Sequence, residues 1–161
     1  MKTLILLRHG KAEADSPNGD HGRELADRGR KDVPAVVKHI KHKPGCPDLI
    51  VSSGAVRALQ TAKLAAETLG YKLDPVEDDD IYEASAGDLL AIVRGLPNKA
   101  DSVMLVGHNP GFEGLAHTLA NARHSIPSMP TSGLVWLELP IKNWDEIKAG
   151  EGDVKGSYHP S

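Results

Sequence analysis

This chain has one cysteine, no long apolar run and no excess of positive charge. With Cys46 as the only thiol, an intrachain disulfide is impossible, and a reducing, cytoplasmic setting is expected. The aliphatic run at the start is broken by Arg8 before it reaches the ~7–15 residues of a signal-peptide core. Nowhere do apolar residues approach the ~18 needed to span a bilayer, so no membrane association is expected. The formal net charge of −3 supplies no global field to gather nucleic acid. An anionic ligand must therefore be held by a local cluster of basic groups. HExxH, HxH and clustered cysteines are all missing, so neither a metal nor another cofactor is expected. Internal repeats and low-complexity segments are missing too.

What is present suits one globular domain. The chain has 161 residues, 40% hydrophobic and 25% charged. Thr3–Leu7 is a continuous apolar run, the pattern of a strand covered on both faces. Residues 11–22 read as a loop. A helix should follow with Asp27 as N-cap, and Pro34 should kink it or shift its start. A second strand is expected at Leu49–Ser52. The helix after it, from Gly54 to Leu69, carries an apolar stripe of Leu59, Ala62, Ala66 and Leu69 and is closed by Gly70. The charge run Glu77–Asp80 reads as solvated loop, and Ser85 with Asp88 as a capping box opening a third helix. Ser102–Val106 is a third buried strand, Pro110 opens a fourth helix, and Gly133–Leu139 is the last clear strand. The expected domain spans residues 1–161, with its core at about 2–140 and residues 143–161 a peripheral tail. Strands alternating with helices predict an α/β domain, a mostly parallel sheet flanked by helices.

In such sheets ligands bind beyond the carboxyl ends of the strands. The first strand ends at Arg8-His9-Gly10, the second runs through Ser52-Ser53 to Arg57, and the third ends at Gly107-His108-Asn109. Each junction alone could be a solvated strand end or a turn. Together they place two arginines, two histidines and fresh helix N-termini at one edge of a net acidic chain. That combination suits a phosphoryl group, which arginine forks can hold and a histidine can attack.

The segments LLRHGKA, VSSGAVRALQTA and LVGHNPGFEGLA resemble the three signature segments of the histidine phosphatase (phosphoglycerate-mutase-like) superfamily. The short length, with RELADRGRKDV, YEASAGDLL and MPTSGLVWLELP, resembles its SixA-like phosphohistidine phosphatase branch, from Lys2 to about Leu139. The resemblance implies a phosphoglycerate-mutase-like fold with His9 as nucleophile and Arg8, Arg57 and His108 as phosphoryl ligands. It also implies Arg23, with Asn109 at the third junction, as a lining residue. Ala26 stands where the family often has Ser or Thr, which weakens the cap of the first helix.

On this reading His9 is neutral, with one ring nitrogen donating to a backbone carbonyl and the other facing phosphorus. A phosphohistidine intermediate forms and water hydrolyses it. His108, if protonated beside the phosphate, adds a third donor. Glu83 is the candidate general acid, with a solvated turn glutamate as the alternative. The remaining histidines, His21, His39, His42, His117, His124 and His159, read as surface or capping residues. The expected substrate is a phosphorylated protein carrying phosphohistidine. Two alternatives stand beside it: a small-molecule phosphomonoesterase, and a phosphate-binding module without turnover.

Overall fold

Successive residues of a strand face opposite sides of a sheet, so four consecutive buried aliphatics need cover on both faces. Leu4, Ile5, Leu6 and Leu7 are all fully buried in the computed structural model, which describes residues 1–121 and 128–161. They lie in β1 (Lys2–Arg8), at the middle of a mixed sheet that also holds β2 (Leu49–Ser52), β3 (Val76–Glu77), β4 (Ser102–Gly107), β5 (Leu134–Leu139) and β6 (Asp153–Tyr158). The order is β3-β2-β4-β1-β5-β6. The first four strands are parallel, while β5 and β6 pair antiparallel.

Helices α1 (Asp27–Val37) and α2 (Val56–Leu69) cover one face, and α3 (Ala86–Arg94) and α4 (Gly111–Leu119) the other. Leu4 and Leu6 pack with Leu105, Leu89, Val93 and Phe112 on the second face. Ile5 and Leu7 pack with Ile50, Val106, Val33 and Ala62 on the first. The alternating side-chain directions of β1 thus feed two separate cores. Ser85 and Asp88 form the capping box of α3, and Gly70 closes α2 in the left-handed conformation (φ 73).

Several expectations need correction. Ala26, not Asp27, is the N-cap of α1, because its N–H is held by the Lys11 carbonyl (2.9 Å) and its backbone is extended. The Ala26 side chain makes no capping hydrogen bond. Helix α1 runs through Pro34 without a shift of its start. The buried stripe of α2 includes Ala58, Ala62, Ala65 and Leu69, with Leu59 only partly buried, since alanines let the helix approach the sheet closely. The charge run contributes β3 and a 3-10 turn at Asp79–Ile81. His124 lies outside the described residues. Among the described residues no helix is long and apolar enough to cross a membrane.

The largest correction concerns the tail. Residues 143–161 are not peripheral: β6 completes the sheet, and Trp144 and Ile147 are buried in the α3–α4 core. Trp144 donates from Nε1 to the Ala100 carbonyl (2.8 Å) and from its backbone to Asn98 Oδ1 (2.8 Å). Truncating it removes a buried aromatic and leaves the Ala100 carbonyl with the longer hydrogen bond from Lys2 Nζ (3.3 Å). Trp144→Ala should therefore lower unfolding free energy by ~3–5 kcal/mol in urea titrations. A loss below ~1 kcal/mol would return this segment to the periphery.

Candidate functional site

Parallel register aligns the strand ends. Arg8 of β1 pairs with Gly107 of β4, and Ser52 of β2 pairs with Val106. The pairing continues one residue further, with His9 N–H donating to the Gly107 carbonyl and Ser53 N–H to that of Val106, both 2.9 Å. His9, Ser53 and His108 therefore leave the sheet side by side. Gly10 lets α1 pack onto this turn: a Cβ there would meet Val33 Cγ2 at 2.9 Å and Gly29 Cα at 3.1 Å. Gly29 in turn lies against the Lys11 carbonyl, with which a Cβ would overlap.

His9 is buried and tied down on every side. Its carbonyl accepts from Ser132 N–H (3.0 Å), and Ser132 reaches it from a left-handed backbone (φ 65). Its Nδ1 lies 2.8 Å from the Gly10 carbonyl. A carbonyl can only accept, so the ring proton sits on Nδ1 and the lone pair is on Nε2. The next residue is fixed as well, because Gly10 N–H donates to Thr61 Oγ1 (3.0 Å), whose hydroxyl donates to the Arg57 carbonyl (2.7 Å). Arg57 Nε donates to His9 Nε2 at 3.4 Å. Burial pushes the His9 pKa from 6.5 down to about 4, and the cations Arg57, Arg8 and Arg23 add to this.

His108 lies beside it, with ring centroids 5.2 Å apart. His108 Nε2 shares a hydrogen bond with Ser53 Oγ (2.8 Å). Burial first, then His9 and Arg57, lower its pKa to about 3. It is therefore neutral here, so the protonated donor expected from the sequence requires the charge of a bound anion beside it.

Arg8, His9, Lys11, Arg23, Arg57, His108, Asn109 and Thr131 line a cup of about 310 Å³. Arg8 donates from Nη1 to the Met129 carbonyl (3.0 Å), while its buried Nε has no acceptor among the described residues. Asn109 Nδ2 donates to the same carbonyl (2.8 Å), and its Oδ1 accepts from Glu113 N–H at the start of α4 (3.1 Å). Asn109 thus anchors the 128–132 segment while it lines the cup. Arg23 donates to the Glu13 carbonyl (2.9 Å) and to Asp20 Oδ1 (3.0 Å).

Glu83 sits apart from the cup. It lines an adjoining chamber of about 380 Å³ with Asp20, Tyr82, Asp88, Arg57 and His108. Its side chain is exposed and its backbone is left-handed (φ 57), turning the chain into the α3 cap. The chamber and the cup share Arg57, His108 and Asn109.

Sequence reasoning missed Asp20, Tyr82, Ser53, Thr61 and the Met129 carbonyl. Ser53 and Thr61 lay inside a recognised segment, but nothing in their type marked which contact they make. Asp20 sat among loop charges and Tyr82 beside a turn. Only the folded contacts single them out. Among the described residues, no group of three or more His, Cys, Asp or Glu side chains is placed to hold a metal ion.

A nucleophile-competent histidine between arginines at the carboxyl edge of an α/β sheet defines a class, and comparison agrees. Residues 4–108 match the histidine phosphatase superfamily (branch 1), and the chain belongs to that superfamily. Within it the chain is SixA-like. It is 27% identical to an Agrobacterium tumefaciens protein described as a candidate SixA phosphohistidine phosphatase, with a TM-score of 0.77 over 99% of each chain. The protein histidine phosphatase SixA complexed with tungstate superposes with a TM-score of 0.82 at 21% identity, over 98% of this chain and 97% of that one. A mycobacterial glucosyl-3-phosphoglycerate phosphatase shares the fold more distantly, at a TM-score of 0.65 and 19% identity over all of both chains.

The two depressed histidines make stability depend on pH. Their folded pKa values lie below the unfolded value of 6.5, so the unfolded chain takes up protons first as pH falls. Their contribution is complete above pH 6.5 and is lost progressively as pH falls through 6.5 toward about 4 and about 3. In NMR titrations the His9 and His108 ring signals should stay at their neutral positions at pH 5.5. Midpoints near 6.5 for either ring would contradict the burial argument.

Proposed function

We propose that this SixA-like phosphatase hydrolyses phosphohistidine carried on a protein, through a phosphoryl intermediate on His9. The observation that carries the reading is the His9 tautomer. The Gly10 carbonyl holds the proton on Nδ1 and so leaves Nε2 as a lone pair in a cup of arginines. Nε2 attacks phosphorus, an N–P bond forms, and the bond to the leaving group breaks. Water then attacks the phosphohistidine, phosphate departs, and the Nε2 lone pair is restored. Arg8, Arg23 and Arg57, with His108 once an anion sits beside it, meet the charge spread over the phosphoryl oxygens. Cations held in place around the cup supply the charge stabilisation that a metal gives elsewhere, so the proposed reaction calls for no metal. The single cysteine suits a reducing compartment, and we place the enzyme in the cytoplasm.

The leaving-group side favours phosphohistidine. The chamber beside the cup carries the carboxylates Asp20, Glu83 and Asp88, which disfavour an acidic leaving group by like-charge repulsion. Imidazole brings no negative charge and, with a conjugate-acid pKa of ~6.5, departs with little assistance. Glu83 supports a second reading, a small-molecule phosphomonoesterase, since an alkoxide needs a proton donor. A pure binding module would have no use for a lone pair kept on Nε2.

His9→Ala should abolish turnover yet retain vanadate binding, because nucleophile and anion clamp are different groups. Single-turnover reactions quenched in alkali, where phosphohistidine survives, should show labelled wild-type protein and no label on the variant. Near wild-type rates would exclude the covalent route.

The role of Glu83 can be read from the leaving group. Under the phosphohistidine reading, Glu83→Gln changes kcat/KM for alkyl phosphates, aryl phosphates and phosphohistidine by one common small factor. A loss of about tenfold or more confined to alkyl phosphates would make Glu83 the general acid and favour the small-molecule reading.

A further inference from the structure

Arg57 touches the proposed nucleophile, yet most of its hydrogen bonding goes to one residue that the sequence did not mark. Its Nη1 donates to the Asp20 carbonyl (2.7 Å) and its Nη2 to Asp20 Oδ2 (3.2 Å). Asp20 thereby grips the far end of the planar guanidinium with both its backbone and its side chain. A rigid fork held at both terminal nitrogens has little freedom to rotate. The Nε–H edge is left directed at His9 Nε2, 3.4 Å away.

Asp20 is itself fixed from several elements. Arg23 Nε donates to its Oδ1 (3.0 Å), and the Tyr82 hydroxyl donates to its Oδ2. Tyr82 packs edge-on against both His108 and His21, and His21 Nε2 lies 2.9 Å from Asp79 Oδ1. The Tyr82 hydroxyl, then Arg57 and Arg23, hold the Asp20 carboxyl at about 2, so it stays anionic wherever the enzyme works. Its side chain is 55% exposed, and an exposed ion pair contributes little to stability. The arrangement matters for direction more than for stability.

We propose that Asp20 is a positioning residue that aims Arg57 at the reacting nitrogen of His9. This rests on the reading of His9 as nucleophile. The contrary possibility is that Asp20 is an internal anion competing with the phosphoryl group for Arg57. The hydrogen bonds favour aiming: Asp20 occupies one donor on each terminal nitrogen, and the remaining Nε–H is directed at His9 Nε2.

The test is a double-mutant cycle on an aryl phosphate with Asp20→Asn, Arg57→Ala and the pair, together with vanadate inhibition constants. Asp20→Asn should lower kcat about tenfold or more, with KM changed far less and the unfolding midpoint unmoved. The double variant should be no slower than Arg57→Ala alone, because Asp20 acts through Arg57. Tyr82→Phe removes one anchor of Asp20 and should show a smaller fall in kcat that vanishes in the Asp20→Asn background. Additive losses would overturn the proposal, as would an unchanged kcat with tighter vanadate binding, the signature of a competitor. A nitrogen-15 spectrum serves as a readout that needs no turnover. The Arg57 Nε–H signal should be protected in the wild type and lose protection in Asp20→Asn, and retained protection would overturn the aiming role. Wild-type protein inactive on every phosphoryl substrate would instead overturn the phosphatase reading, while the spectrum still decides whether Asp20 orients Arg57.

Discussion

Parallel pairing of β1 with β4, and of β4 with β2, is the constraint on which the site depends. Parallel strands in register end together, and these three end within one residue of each other. Everything chemical follows from that edge. Arg8 and His9 leave β1, Ser53 follows β2 and leads into the helix that carries Arg57, and His108 leaves β4. A slip of β1 by one residue against β4 would turn its alternation inside out and exchange the side chains it gives to the two cores. The fully buried aliphatics of β1 therefore fix the placement of the reactive residues as firmly as any contact within the cup.

The cup has to solve an electrostatic problem. Under the proposed mechanism, arginines that attract a phosphoryl group also surround a histidine that must stay unprotonated to attack it. Burial and the nearby guanidiniums act in the same direction on His9, both disfavouring the imidazolium, so the cations of the cup also keep its Nε2 unprotonated. The Gly10 carbonyl then settles which nitrogen carries the remaining proton. The cost falls on His108, which the same field makes neutral until an anion arrives. Asp20 offsets part of the positive charge from outside the cup, leaving the cup itself basic and the neighbouring chamber acidic.

Much of this was legible in the chain. The continuous run in β1, the alternation of strands with helices, the capping box at Ser85 and Asp88, and Gly70 at the end of α2 each rest on local chemistry. The three junction motifs stood out because two arginines and two histidines fell at strand ends of a net acidic protein. Edge strands were harder to see. β3 and β6 need mainly backbone hydrogen bonds on one side, so their residues stay polar or exposed and carry no apolar signal. Trp144 was hidden by its surroundings, a large buried ring in a glycine-rich, charged stretch.

The sequence by itself determined the elements with strong periodicity and the residue types able to bind and attack a phosphoryl group, because both depend on side-chain chemistry and spacing along the chain. Only the tertiary structure decided which of those groups meet. The antiparallel docking of β5 and β6, the closure of residues 143–158 onto the sheet, the tautomer of His9 and the grip of Asp20 on Arg57 depend on atoms distant in sequence. Asp20 and Arg57 are 37 positions apart and Arg8 and Met129 are 121 apart. No local pattern encodes such a pair. It appears only when the sheet brings the strand ends to one edge and the loops fold down over them.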